Sequence, residues 1–256
     1  MKTLILSTVL CMAPLTAALA ATCSIQSPPH TVALLELYTS EGCSSCPPAD
    51  EFVSRLRADP GLGASRLVPL SLHVDYWDYI GWNDVYAKPA FTERQRWLSA
   101  LAKTRTIYTP EIFIAGKELR AWRTGLSERV KRINQGPAQA GIGITLGKIN
   151  DGKLPVEVSA DTKQRARLFI ALYQNGLVSN VKAGENRGVT LRHDFVVREL
   201  DGPLELAPGA AGAKTSFARM LSVPSGSAGK NLGVAAFVQT DQGDVLQAVA
   251  LPVCDG

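Results

Sequence analysis

The sequence feature that constrains this chain most is a pair of cysteines, Cys43 and Cys46, placed between a predicted buried strand and a predicted helix. The strand is the mostly apolar run from Val32 to Tyr38, and the apolar spacing after Pro47 is typical of a helix. Proline suits the first helical turn because an N–H at that position would have no helical partner. A thiol at a helix N-terminus has a lowered pKa, so the two cysteines predict a redox-active pair.

Two other interpretations of the pair stay open, a structural disulfide and part of a metal site. No second cysteine pair and no His-x-x-x-His run completes a four-ligand zinc set. A Cu(I) site made by Cys43, Cys46 and His73 would use the soft thiolates that this ion prefers. A strand-end or core role is the simpler interpretation of His73, and the chain has only three methionines to support copper handling.

The first twenty residues have the organisation of a secretory signal peptide. Lys2 precedes an apolar stretch that ends in Ala18-Leu19-Ala20. Pro14 interrupts the stretch, which is too short for the roughly 20 apolar residues that cross a membrane. We therefore predict a signal peptide at residues 1–20, export to the periplasm or the medium, and a mature chain without a membrane span.

Export would leave four of the five cysteines, namely Cys23, Cys43, Cys46 and Cys254. An even number in an exported chain permits disulfides. Of the three pairings, we favour Cys43 with Cys46 and Cys23 with Cys254, the second of which joins the two ends of the mature chain. The net charge of +4 is not concentrated in a Lys/Arg run, so no nucleic-acid partner is predicted.

The mature chain changes character near residue 137. Before it, predicted strands alternate with helices and a hairpin, which indicates an α/β domain over residues 21–136, a mixed sheet flanked by helices. After it, short alternating runs are separated by turn signals such as Asn175-Gly176, which indicates an antiparallel β-sandwich over residues 137–256. A length of 256 residues allows two domains with a core each.

Several segments resemble a known family. Residues 36–47, Glu-Leu-Tyr-Thr-Ser-Glu-Gly-Cys-Ser-Ser-Cys-Pro, with Thr109-Pro110 before an apolar strand, resemble a thioredoxin-fold protein. Residues 73–82 (HVDYWDYIGW) and 184–194 (GENRGVTLRHD) are similar to an exported thioredoxin-like family of unknown function. The resemblance covers nearly all of the mature chain and implies a thioredoxin-like N-terminal domain.

The resemblance also implies roles for single residues. Cys43 would attack a disulfide and Cys46 would resolve the mixed disulfide. Pro110 would be a cis-proline facing the cysteines, with the backbone of Thr109 pairing with an extended substrate. Glu36 would be the buried acid that assists proton transfer at Cys46. It lies seven residues before Cys43, where the family pattern usually has six, so a salt-bridged or exposed Glu36 is an open alternative.

An aromatic-rich segment follows the second predicted strand. Ligands of open α/β sheets favour the carboxyl ends of strands, and this segment leaves such an end. Tyr76, Trp77 and Trp82 would therefore either bind extended polypeptide beside the cysteines or fill the seam between the two domains.

For His193 and Asp194, a strand and turn role is simpler than a catalytic one, because no nucleophile signature accompanies them.

Together these features predict an exported thiol–disulfide oxidoreductase that acts through Cys43 and Cys46 without a cofactor. Its partners would be protein thiols and disulfides, and a redox partner that the sequence does not identify. Two alternatives belong to other classes of protein. One is a periplasmic chaperone that holds Cu(I) or another soft metal with the same thiolates, and the other is a non-catalytic binding module.

Overall fold

The computed structural model describes residues 23–104, 106–209, 213–227 and 229–254. The predicted signal peptide lies outside the described residues. Within these ranges the chain forms three α-helices, α1 (Pro47–Arg55), α2 (Pro89–Leu101) and α3 (Trp122–Asn134). None of the helices in the described part of the chain has the length and apolar character needed to cross a membrane.

The described residues also form fourteen strands, which belong to three sheets. In chain order they are β1 (Cys23–Gln26), β2 (Ala33–Thr39), β3 (Leu67–His73), β4 (Glu111–Ile114), β5 (Lys117–Glu118), β6 (Ala140–Leu146), β7 (Lys153–Thr162), β8 (Ala166–Gln174), β9 (Leu177–Asn180), β10 (Thr190–His193), β11 (Val196–Leu206), β12 (Thr215–Ser222), β13 (Leu232–Gln239) and β14 (Val245–Pro252). The largest sheet has eight strands in the order β14-β13-β8-β11-β3-β2-β4-β5. A second sheet has the order β1-β6-β7-β12, and β9 and β10 form a hairpin.

The first half of the chain runs β2-α1-β3-α2-β4-β5-α3 and places helices on both faces of the sheet. Strand β2 pairs in parallel with β3, with Thr39 opposite His73, and pairs antiparallel with β4. Because side chains alternate along a strand, β2 serves two cores. Leu35 and Leu37 pack with residues of α1 and α3, whereas Leu34 and Tyr38 pack with residues of α2.

The second half of the chain builds a two-sheet core. Strands β6, β7 and β12 pack their apolar side chains against those of β8, β13 and β14. Strand β1 precedes α1 in sequence but pairs antiparallel with β6, with Cys23 opposite Leu146. A disulfide between Cys23 and Cys254 holds this strand to the residues that follow β14.

The large sheet continues through the predicted boundary near residue 137. Strand β11 pairs in parallel with β3 through Val196 and Ser71, which connects the strands of the second half to those of the first. Hairpin β9-β10 turns back so that β10 packs against α1. The second half of the chain therefore supplies residues to the surroundings of Cys43 and Cys46. The two-domain division at residue 137 stays a prediction.

Candidate functional site

The two central cysteines form a disulfide at the N-terminus of α1. Cys46 occupies the N-cap position with helical backbone angles, and its carbonyl oxygen accepts the first helical hydrogen bonds, from the N–H groups of Ala49 (2.8 Å) and Asp50 (3.1 Å). Pro47 and Pro48 follow in the first turn. The disulfide therefore lies at the positive end of the helix dipole. Both cysteines are completely buried, with no exposed surface.

A cis peptide bond between Thr109 and Pro110 faces this disulfide. The carbonyl oxygen of Thr109 lies 3.7 Å from Sγ of Cys43. The hydroxyl of Ser45 lies 3.2 Å from the same sulfur and donates a hydrogen bond of 3.3 Å to the Thr109 carbonyl. The cis-proline loop and the cysteine turn are therefore in direct contact.

The aromatic segment surrounds the cysteine turn. The indole N–H of Trp77 donates a 2.7 Å hydrogen bond to the Thr109 hydroxyl, and that of Trp82 donates a 2.8 Å bond to the carboxylate of Glu41. Tyr76 and Trp77 are half-buried against the core on the α2 side of the sheet. These residues line the site and contribute to the core as well, so their role in substrate binding stays a prediction.

Glu36 is buried on the face of β2 that contacts α2. Its carboxylate accepts hydrogen bonds from Nε (2.5 Å) and Nη2 (3.1 Å) of Arg94. Tyr38 donates a third bond, of 3.2 Å. Because α1 packs on the opposite face of β2, the carboxylate of Glu36 is directed away from the cysteine helix. The geometry favours the salt-bridged alternative for Glu36 over a role beside Cys46.

A different buried acid, Asp50, lies on the cysteine helix. It comes four residues after Cys46, so the two side chains are neighbours on one face of α1. Its carboxylate accepts a 3.1 Å hydrogen bond from Thr39 and lies 4.0 Å from Nδ1 of His193. Burial raises the pKa of Asp50, although His193, His73 and Thr39 oppose the shift. Asp50 can therefore hold or release a proton close to Cys46.

His193 connects Asp50 to a second carboxylate. Its Nε2 lies 3.3 Å from Oε1 of Glu41, and both ring nitrogens are buried without a hydrogen bond of good geometry. Burial by itself would raise the pKa of Glu41, but the contacts with His193 and Trp82 outweigh it and lower that pKa. The imidazole thus lies between an acid before the cysteine turn and an acid after it.

His73 completes this buried group. Its Nδ1 lies 2.7 Å from the carboxylate of Asp84, and its ring contacts the ring of His193 edge to face at 5.0 Å. Burial would lower the pKa of His73, but Asp84 reverses the direction and raises it. Asp84 also accepts a 2.9 Å hydrogen bond from the Glu41 backbone N–H. The pair therefore holds the loop before Cys43 in place.

Among the residues that the structure describes, no group of three or more His, Cys, Asp or Glu side chains is arranged to hold a metal ion. His73 directs Nδ1 at Asp84, and its Nε2 has no hydrogen-bond partner. The metal alternative with Cys43, Cys46 and His73 stays a prediction.

Asp50, His193 and Asn186 meet at the cysteine turn, and none of them was predicted to lie there. Asp50 carried a signal, because a polar residue four positions after Cys46 on a predicted helix shares the face of that cysteine. For His193 a strand role was preferred to a catalytic one, and the positions of His193 and Asn186 depend on how hairpin β9-β10 folds against α1. Asp194 does pair with an arginine, Arg57, at 2.6 Å, as a turn residue would.

Comparison with known proteins assigns the chain to a family. The family model described as "Protein of unknown function (DUF1223)" matches residues 34–239. The chain therefore belongs to this family, whose activity is not known. This confirms the resemblance to a family of unknown function with a Cys-x-x-Cys pair, whereas the thioredoxin-like part of that resemblance stays a prediction.

One solved structure is similar over most of its length. It is the crystal structure of protein AGR_C_4864 from Agrobacterium tumefaciens, a structural genomics target, which is 25% identical in sequence with a TM-score of 0.63. The similarity covers 89% of this chain and 96% of that chain. No curated protein matches the sequence at a significant level.

Proposed function

We propose that the protein is an exported thiol–disulfide oxidoreductase that exchanges disulfides with protein substrates through Cys43 and Cys46. The observation that carries the proposal is the disulfide at the N-terminus of α1, in contact with the cis Thr109–Pro110 bond. A helix N-terminus stabilises a thiolate, which is the nucleophile and the leaving group of disulfide exchange.

The topology of the first half supports a thioredoxin-like fold for this part of the chain. Strands β3, β2, β4 and β5 are neighbours in that order, with β2 and β3 parallel and β4 antiparallel. Helix α1 follows β2, and the cysteines lie between them. The second half extends the same sheet and adds a second one, which is the β-sandwich-like part of the proposal.

The proposed exchange begins with the protein oxidised. A substrate thiolate attacks Sγ of Cys43, a new sulfur–sulfur bond forms, and the bond between Cys43 and Cys46 breaks. The electron pair of the broken bond leaves on Sγ of Cys46. A second substrate thiol, as thiolate, then attacks the substrate sulfur of the mixed disulfide and releases Cys43 as a thiolate. The substrate leaves as a disulfide and the protein as a dithiol, and the reverse sequence would reduce a substrate.

Asp50 and His193 supply the proton that this step requires. A thiolate on the fully buried Cys46 is unfavourable unless it is protonated or stabilised. Asp50 is the neighbouring carboxyl group on α1, and His193 lies beside it. Both residues also line a surface groove of about 540 Å³ next to Pro47 and Pro48, through which protons can exchange with water.

Export is supported by the second disulfide. Cys23 and Cys254 lie near the two ends of the described chain and are bonded to each other. Disulfides of this structural kind persist in oxidising compartments outside the cytosol. The predicted signal peptide at residues 1–20 would deliver the chain to such a compartment.

The test is a disulfide-exchange assay with a reduced and an oxidised model protein substrate. The wild type should exchange in at least one direction, and Cys43→Ala should abolish the exchange. A matched control is the Cys23→Ser/Cys254→Ser double variant, which lacks the other disulfide and should keep the activity. Failure to exchange in either direction, both by the wild type and by a variant in which small thiols reach the Cys43–Cys46 disulfide, would refute the proposal.

A further inference from the structure

The cysteine turn is covered by a segment from the second half of the chain. This segment, residues 181–189, connects strands β9 and β10, and we call it the covering segment. Asn186, buried at its centre, donates side-chain hydrogen bonds to the carbonyl oxygens of Glu41 (2.8 Å) and Cys43 (2.9 Å). One side chain thus joins the covering segment to the residues on both sides of Gly42.

A second contact lies on the other side of Cys43. The backbone N–H of Ser44 donates a 2.9 Å hydrogen bond to the carboxylate of Glu185, and this bond lowers the pKa of the exposed Glu185 side chain. The N–H of Ser44 lies in the turn between the two cysteines, where a helix N-terminus leaves donors free. The covering segment therefore satisfies a donor inside the Cys-x-x-Cys motif.

Ile80 packs between the covering segment and the cysteine turn. A Cβ atom built on Gly42 would lie 3.2 Å from the end of the Ile80 side chain, and one built on Gly184 would lie 3.0 Å from it. Gly184 also has a φ of +72°, a backbone angle that residues with a side chain rarely adopt. Both contacts are tight, so Ile80 would have to shift to make room for a larger residue at either glycine, and the three elements are packed directly on one another.

The consequence is that Cys43, the sulfur that a substrate has to reach, has no exposed surface. Nucleophilic attack on a disulfide requires direct access to the sulfur. The hydrogen bonds of Asn186 to the Cys43 carbonyl and of Glu185 to the Ser44 N–H hold the covering segment beside this buried sulfur. Exchange therefore needs a local opening at the cysteine turn, and the covering segment is a short connection in which several side chains are exposed.

We propose that the covering segment is an autoinhibitory seal, and that a protein partner that binds it and displaces Asn186 and Glu185 exposes the Cys43–Cys46 disulfide. This inference rests on the proposed function for its biological meaning. The seal itself concerns only whether a thiol can reach the Cys43–Cys46 disulfide, so it can be tested without a protein-substrate exchange assay. The partner would carry a donor that replaces the Asn186 amide at the carbonyls of Glu41 and Cys43. It would also carry an acceptor that replaces the Glu185 carboxylate at the Ser44 N–H.

The experiment measures how fast dithiothreitol reduces the Cys43–Cys46 disulfide. Samples are quenched with acid at intervals and alkylated, and peptide mapping then counts modified Cys43 separately from Cys23. The wild type should react far more slowly than an exposed model disulfide, and Asn186→Ala should react about tenfold faster, because two hydrogen bonds of the seal are lost. Asn180→Ala is the matched control and should behave as the wild type, because the Asn180 side chain lies in the same hairpin and accepts its hydrogen bond from Thr190 rather than from the cysteine turn.

A second variant, Glu185→Gln, tests whether faster reduction comes from local opening rather than from a general loss of stability. Glu185 is exposed, so Glu185→Gln should keep the urea midpoint of the wild type and still increase the reduction rate several-fold. The proposal is overturned if the wild type is reduced as fast as the exposed model disulfide, or if neither variant changes the rate. If Asn186→Ala is reduced faster than the wild type by dithiothreitol but exchanges with neither model substrate, the oxidoreductase is refuted and the seal remains.

Discussion

Nε2 of His193 lies 3.3 Å from Oε1 of Glu41, although the two residues come from opposite halves of the chain. On its other side, the same imidazole lies 4.0 Å from the carboxylate of Asp50. Glu41 precedes the first cysteine by two residues and Asp50 follows the second by four. The second half of the chain therefore places a titratable group directly against the cysteine turn.

Replacement of Asp50 should slow the proton-coupled step. Asp50→Asn keeps the size of the side chain and removes its proton, so disulfide exchange should become roughly 100-fold slower at neutral pH. Stopped-flow rates from pH 5 to 9 should also lose an inflection that the wild type shows. Glu36→Gln is the matched control, because it removes a buried carboxylate on the opposite face of β2. Equal slowing in both variants would contradict a specific role for Asp50.

The ion pair between Glu36 and Arg94 should matter for stability. Both groups are buried, and Arg94 also stacks on Phe169 at 4.7 Å and Phe237 at 4.9 Å. Glu36→Gln leaves the guanidinium without its counter-charge, so we expect a loss of about 3–5 kcal/mol in the free energy of unfolding. Urea denaturation measures this loss. The disulfide-exchange rate of the folded variant should stay that of the wild type, and a slowed exchange would return Glu36 to the proton path.

Glu111 should make stability depend on pH. Burial raises its pKa to about 7, despite hydrogen bonds from Gln95 and Ser99. The folded protein therefore keeps a proton that the unfolded chain loses near pH 4.5, and the stability contribution falls as pH rises from about 4.5 to 7.

Glu111→Gln should remove this dependence. The variant should gain stability over the wild type between pH 5 and pH 8, by at most about 3 kcal/mol, as measured by urea midpoints at both values. Glu157→Gln, on an exposed position of β7, should change the midpoint equally at the two pH values. An identical pH dependence in Glu111→Gln and the wild type would show that another group titrates.

The disulfide between Cys23 and Cys254 should stabilise the whole fold. It joins residues 231 positions apart, so it restricts the unfolded chain strongly, by about 5 kcal/mol in the chain-entropy model. The Cys23→Ser/Cys254→Ser variant should melt roughly 10 to 20 °C lower in a thermal scan. A melting temperature within about 2 °C of the wild type would mean that β1 is held by its pairing with β6 alone.

Local sequence patterns correctly predicted the strand and the helix on either side of the two cysteines. The strand before Cys43 and the helix from Pro47 follow from apolar spacing and proline placement, which depend only on neighbouring residues. The role assigned to Glu36 came from the resemblance to thioredoxin-fold proteins, and the count of seven positions before Cys43 left a salt bridge as the alternative. Such a count does not say which face of the strand the side chain occupies relative to α1.

The sequence by itself determined that a cysteine pair lies at a helix N-terminus. It also determined that the chain resembles a family of unknown function that has a Cys-x-x-Cys pair. Only the tertiary structure decided that Glu36 faces α2 rather than the cysteine helix, and that His193 and Asn186 close around the cysteine turn. The physical reason is that helix and strand formation are local, whereas the contacts of hairpin β9-β10 depend on the strand order of a sheet shared by both halves of the chain.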